Sequence, residues 1–133
     1  MPYDWNVDRT TCRFFVRGHG EGTTEDALRL IAEMRDTLRE CPDYDVLYDS
    51  TELRIHSSPA DMMRVANALF RDAGGRFRRF ALVVPNARVP LARIFVALAH
   101  PFGIMANVFN DADTARDWLA VRREQQPPAV PES

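Results

Sequence analysis

Two short polar clusters hold the side chains of this sequence best suited to chemistry. Asp49-Ser50-Thr51 closes the apolar run Val46-Leu47-Tyr48, and Ser57-Ser58-Pro59 opens an amphipathic stretch. A carboxylate and hydroxyls at a strand end, followed by serines at a helix start, mark a polar rim, although no complete catalytic or metal motif says which chemistry it carries. The first N–H groups of a helix lack intrahelical acceptors, and its dipole is positive there. In a strand-then-helix unit both clusters reach one rim of the sheet, where α/β proteins place ligands and switches. Asp49, Ser50, Thr51, Ser57 and Ser58 are therefore the candidate switch or partner rim.

Other chemistries are poorly served. The chain has no lysine, which removes Schiff-base formation, a lysine general base and the phosphate-loop lysine. His19, His56 and His100 fall in separate connections or helix ends, without the close ligand pairs a zinc site needs. No G-x-S-x-G nucleophile elbow is present. Gly18-x-Gly20-x-Gly22 places its third glycine one residue early for a dinucleotide loop and reads as a turn of positive φ. Arg76, Arg78 and Arg79, with Arg71 ahead of them, read as a solvated rim paired with carboxylates. No catalytic residue, metal or cofactor is expected, and the chain is not expected to be an enzyme.

The elements that must position the rim follow from length and periodicity. A chain of 133 residues, 46% hydrophobic and 27% charged, suits one globular domain. Its net charge of −2 argues against a nucleic-acid binder, which needs a basic excess to neutralise phosphates. No apolar run is long enough to span a membrane, and the amino terminus carries no secretory pattern, so a cytoplasmic location is expected, with Cys12 and Cys41 reduced.

Strands are predicted at residues 3–7 and 12–17, the second broken by Gly18-His19-Gly20-Glu21-Gly22. Thr23-x-x-Asp26 is a capping-box variant opening a helix with Ala27, Leu28, Ile31, Met34 and Leu38 inward, ended by Pro42. A strand over 44–48 leads through a polar connection to a helix from Pro59, closed by Gly74-Gly75. The continuous apolar run 80–84 is a buried strand, followed by a helix over 89–99 with Leu91, Ile94, Phe95 and Leu98 inward. A strand over 105–109 and a helix capped by Asp111 or Asp113, with Trp118 as a buried anchor, complete the series. The order ββαβαβαβα predicts an α/β fold: a mixed, mostly parallel five-stranded sheet with four helices. Residues 1–124 form the domain, and the Pro-rich stretch 125–133 is expected to be a disordered tail.

At this point the chain resembles the anti-sigma-factor-antagonist-like, or STAS, domains. The likeness is to small stand-alone bacterial members related in fold to CRAL-TRIO lipid-binding domains. It rests on the element order, the Gly-rich segment before Thr23-Thr24-Glu25-Asp26-Ala27-Leu28, the strand ending Val46-Leu47-Tyr48-Asp49, and the segment from Asn110 to Leu119. In phosphorylated antagonists a strand ends in Asp-Leu-Ser-Gly, and Asp-Ser-Ser-Gly opens a helix bearing the phosphoserine. These motifs fall here on Asp49-Ser50-Thr51-Glu52 and Ser57-Ser58-Pro59-Ala60, so the resemblance puts Ser58 at the phosphoserine position. Ser57, Pro59 and Ala60 depart from the motif.

The resemblance implies a non-catalytic regulatory or protein-interaction domain. The alternative is a carrier or sensor of a small apolar or amphipathic ligand held between the second and third helices. Met62, Met63, Phe70, Phe95 and Phe102 are the candidate lining for such a ligand. Trp5, Phe14 and Phe15 cannot all face inward from an edge hairpin, so a homodimer through the amino-terminal strands is also expected.

Overall fold

The computed structural model describes residues 2–56, 58–72 and 77–121. Among these, five strands form one sheet in the order of the chain: β1 (Tyr3–Asp8), β2 (Arg13–Gly22), β3 (Tyr44–Ile55), β4 (Phe77–Val83) and β5 (Met105–Phe109). β1 pairs antiparallel with β2, and the remaining pairings are parallel. The helices are α1 (Thr24–Thr37), α2 (Pro59–Ala66, continued by a π turn over Asn67–Arg71), α3 (Val89–Ala97) and α4 (Ala112–Ala120). This is the mixed, mostly parallel α/β architecture expected from the element order.

Strands added in sequential order by crossings of one hand put every crossing helix on the same face. Accordingly α1, α2 and α3 share one face. Their Leu30, Ile31, Met34, Ala66, Ala92 and Val96 pack into a single large core with Phe14, Val16, Val46 and Phe80. α4, which follows the last strand, covers the opposite face, where Leu47, Ala81, Val83, Ala115 and Leu119 form a smaller cluster.

Two polar stretches expected to interrupt the strands belong to them instead. β2 runs on through Gly18–Gly22 and β3 through Asp49 to Ile55, because the two stretches pair with each other, from His19 opposite Glu52 to Gly22 opposite Ile55. Neither stretch alternates cleanly enough to show this alone. The register shifts between Arg17 opposite Asp49 and His19 opposite Glu52, placing an extra residue in β3. That bulge re-phases the strand, so that Leu53 returns to the core. Gly18 is required by close approach: a Cβ there would meet Leu53 Cδ2 at 2.9 Å. The positive φ expected of a glycine turn occurs at Gly20, within the strand.

Other expectations need correction. Cys12 and Cys41, expected as reduced thiols, are joined in a disulfide with Cα atoms 6.0 Å apart. Parallel pairing aligns the starts of β2 and β3, and Asp45 N donates to Cys12 O, so the residues just ahead of the two strands become neighbours. α1 ends at Thr37, with Leu38 as its C-cap, well before Pro42. On α3, Ile94 faces solvent and Leu91 is largely exposed at the mouth of a cavity, while Ala92 and Val96 are buried. Gly74, Gly75, Arg76 and the stretch 122–133, including the expected tail, lie outside the described residues.

The arginine rim is likewise divided. Arg78 pairs with Asp43 at 2.6 Å on the surface. Arg79 is buried: Nη2 meets Asp45 at 2.8 Å and Leu119 O at 3.1 Å, and Nη1 donates to Val121 O. Its guanidinium lies 5.9 Å from the Trp118 ring, and Arg13 also donates to Leu119 O. The last carbonyls of α4 lack intrahelical donors and are thereby satisfied by cations, which also suit the negative end of the helix dipole. Trp118 is half-buried between this network and Phe109.

Candidate functional site

A cavity of about 290 Å³ lies over the carboxyl ends of β3 and β4, between α1, α2 and α3. Its origin is a fork in the sheet. β3 and β4 pair only as far as Asp49 opposite Val83, whereas β3 continues beside β2 to Ile55. Backbone carbonyls left at such a fork need donors. Ser50 Oγ donates to Val83 O at 2.9 Å, and Arg88 Nη2 donates to Ser50 O at 2.7 Å.

The floor is Tyr48, Ser50, Leu82 and Val84, side chains of β3 and β4 and the residue after it that turn to the three-helix face. Ser58, Pro59, Met62 and Val65 of the α2 segment form one wall, and Leu91, Ala92 and Phe95 of α3 form another. The start of α1 closes the remaining side with Thr23, Thr24 and Ala27. α2 begins here because Ser58 accepts from Asp61 N at 3.1 Å and Pro59 occupies the first helical turn. α1 begins here through the reciprocal capping box of Thr23 and Asp26.

Electrostatically the cavity is apolar with a few hydroxyls and one cation. Among the described residues Arg88 is the only charged side chain on its walls. Burial pushes the Tyr48 phenol well above its ordinary range, with Tyr3 adding to the effect and Arg88 opposing it. Tyr48 is therefore a neutral phenol at physiological pH. Among the described residues no group of three or more His, Cys, Asp or Glu is arranged to hold a metal ion.

The two predicted residue sets are each divided by the structure. Of the rim, Ser50 and Ser58 line the cavity. Asp49 and Thr51 do not: Asp49 Oδ1 accepts from Thr51 N at 3.1 Å and Thr51 Oγ1 at 2.7 Å, holding the β3 bulge. Ser57 lies outside the described residues. Of the apolar set, Met62 and Phe95 line the cavity. Phe70 is buried in the core against Phe77, Phe80 and Phe95, while Met63 and Phe102 face solvent elsewhere. Sequence reasoning passed over Arg88, Tyr48 and Thr24. The signal for Arg88 was its place just beyond the strand-ending Val84-Pro85-Asn86, where carboxyl-end loops carry binding groups.

No helix among the described residues is long and apolar enough to cross a membrane. The fold is similar to that of an uncharacterised DUF3478-family protein with a SpoIIAA-like fold from Shewanella loihica PV-4. The TM-score is 0.62 at 20% identity, over 88% of this chain and 93% of that one. No curated protein matches the sequence significantly. The sequence model of the SpoIIAA-like family, however, matches residues 13–120, from the first residue of β2 to the last of α4, and the chain therefore belongs to the SpoIIAA-like family.

Proposed function

We propose that this chain is a non-catalytic binding domain whose cavity between α1, α2 and α3 takes a small apolar or amphipathic molecule. The cavity itself carries the reading. Protein interiors leave few voids larger than a water molecule, whereas ligand sites are concave and mainly apolar, with a few placed polar groups. A volume of about 290 Å³ falls just under the roughly 300–1,000 Å³ such sites span. It suits one short chain or ring system rather than a two-chain lipid. Family membership supports the absence of catalysis. Sequence reasoning ranked protein contact first and ligand binding second; the cavity favours the reverse.

Nile red, a neutral dye that brightens in apolar surroundings, tests this reading, together with native mass spectrometry for co-purified ligand. Ala92→Phe and, separately, Val65→Phe fill the cavity from two walls. Both are expected to abolish the dye response while the protein remains folded. Full dye binding by both variants would place the apolar site elsewhere and sink the reading.

Contact with a protein is a second reading, favoured by Leu91 and Ile94, 54% and 59% exposed on α3 beside the cavity. The edge of β1 is a further place for association. There Trp5 is 38% exposed although its Nε1 donates to Glu33. Light scattering at micromolar concentration is expected to give a dimer mass that Trp5→Ala reduces. A monomer mass for the parent protein removes the self-association proposal.

A further inference from the structure

We infer that the molecule taken by this cavity is a single-chain amphiphile with an anionic head, and that Arg88 is the residue that selects the head; the inference rests on the cavity being a ligand site. Arg88 is half-buried on an otherwise uncharged wall, and the one hydrogen bond it makes among the described residues is to Ser50 O. It has no carboxylate partner among them. The acidic residues on neighbouring elements are engaged elsewhere. Asp26 accepts from Thr23 N and Arg29, Asp61 from Arg64, and Asp49 from Thr51.

A guanidinium drawn from water without a counter-charge is unfavourable, and a ligand anion removes that penalty while gaining charge-assisted hydrogen bonds. A planar guanidinium with donors to spare also matches a carboxylate or phosphate head, which can accept two parallel bonds. α1 and α2 both begin on the cavity wall, at Thr24 and Pro59, but the first-turn carboxylates Glu25, Asp26 and Asp61 offset their positive dipole ends, so Arg88 is the group that supplies the charge. The apolar chain then lies along Met62, Val65, Leu91 and Phe95, away from the head.

Calorimetric titration of the whole chain with decanoate, decyl phosphate, decanol and decyltrimethylammonium, each below its aggregation concentration, tests this. Both anions are expected to bind about 10-fold or more tightly than decanol, a gain set by one charge-assisted contact, and the cationic amphiphile least. Comparing decanoate with decyl phosphate separates a carboxylate from a phosphate head. Arg88→Gln is expected to reduce the anions to decanol's affinity while leaving decanol unchanged, and Arg88→Lys to keep much of the preference. If the parent protein binds decanol as tightly as both anions, head selection is wrong while the ligand-site reading stands. The same holds if Arg88→Gln retains the full preference. If none of the four binds, the ligand-site reading itself fails, and this inference with it. Should Arg88→Gln not fold, the ranking by the parent protein and the weakening of anion binding by added salt decide the matter.

Discussion

Arg79, beneath α4, and Arg88, on the cavity wall, lie toward opposite faces of one sheet and meet opposite surroundings. Arg79 is sealed among Asp45, the carbonyls of Leu119 and Val121, and the Trp118 ring. Arg88 has one backbone carbonyl and an apolar hollow. A buried cation whose charge is met by a carboxylate and whose terminal nitrogens are bonded by its own chain is a fastener. Arg88, with no carboxylate partner among the described residues and a cavity beside it, is the cation proposed above to meet a ligand. The contrast follows from packing: α4 sets its own Ala115 and Leu119 against Leu47, Ala81 and Val83 of the sheet, whereas three helices converging on a forked sheet leave space.

The sharpest way to break the fastener is Asp45→Ala, which leaves the Arg79 guanidinium buried without its counter-charge. Loss of a partner from a buried pair is expected to cost about 3–5 kcal/mol, read as a lower urea midpoint. An unchanged midpoint would mean that water reaches Arg79. On the other face the largest effect should come from ligand. Binding at 100-fold above Kd raises stability by about 2.7 kcal/mol, so saturating decanoate should raise Tm for the parent protein and not for Ala92→Phe. Equal shifts in both would locate binding outside the cavity.

Trp118→Ala comes next. A fully buried tryptophan costs roughly 3–5 kcal/mol when truncated, but Trp118 is only half-buried, so a loss of about 2–3 kcal/mol is expected. A loss within experimental error would show that the Arg79 network alone holds α4. Arg88→Gln should cost no more than about 1 kcal/mol, the net worth of one hydrogen bond. A larger loss would make Arg88 structural, like Arg79.

The smallest effect concerns acid. The Thr23 backbone N–H, bonded to its carboxylate, holds Asp26 below the usual range, and that of Thr114 does the same for Asp111. A depressed folded pKa contributes stability that is present above the unfolded value, about pH 4, and is lost as pH falls through the folded value. Asp26→Asn and Asp111→Asn are therefore expected to flatten the fall in Tm below about pH 4. Both variants should melt below the parent by a constant margin between about pH 6 and 8, where that stability is fully present, and converge with it in acid; an unaltered acid limb would assign the fall to other carboxylates.

What could be read from the sequence is what local physics decides. The capping box at Thr23, an aspartate cap at Asp111 or Asp113, of which Asp111 is used, and the Ile31, Met34 and Leu38 stripe at α1 are set by residues a few positions apart. With the alternation of helices and strands, they were enough for the sheet; a hollow between α2 and α3 entered only as the alternative, through the likeness to lipid-binding relatives. Individual lining residues were less legible. Met62 and Phe95 reach the cavity, yet Phe70, with the same apolar character and helical spacing, points into the core.

Only the tertiary structure decided the rest, because it depends on partners distant along the chain. The polar stretches 18–22 and 49–55 become strand through pairing with each other, and the bulge between them restores Leu53 to the core. Cys12 and Cys41 meet because two parallel strands begin side by side. The place of Arg88 beyond a strand end marks the cavity side, but the type and spacing of Arg79 and Arg88 do not show whether either charge is met by a carboxylate. That distinction arises when Asp45 and the end of α4 close around one, and the fork between β3 and β4 leaves the other beside empty space.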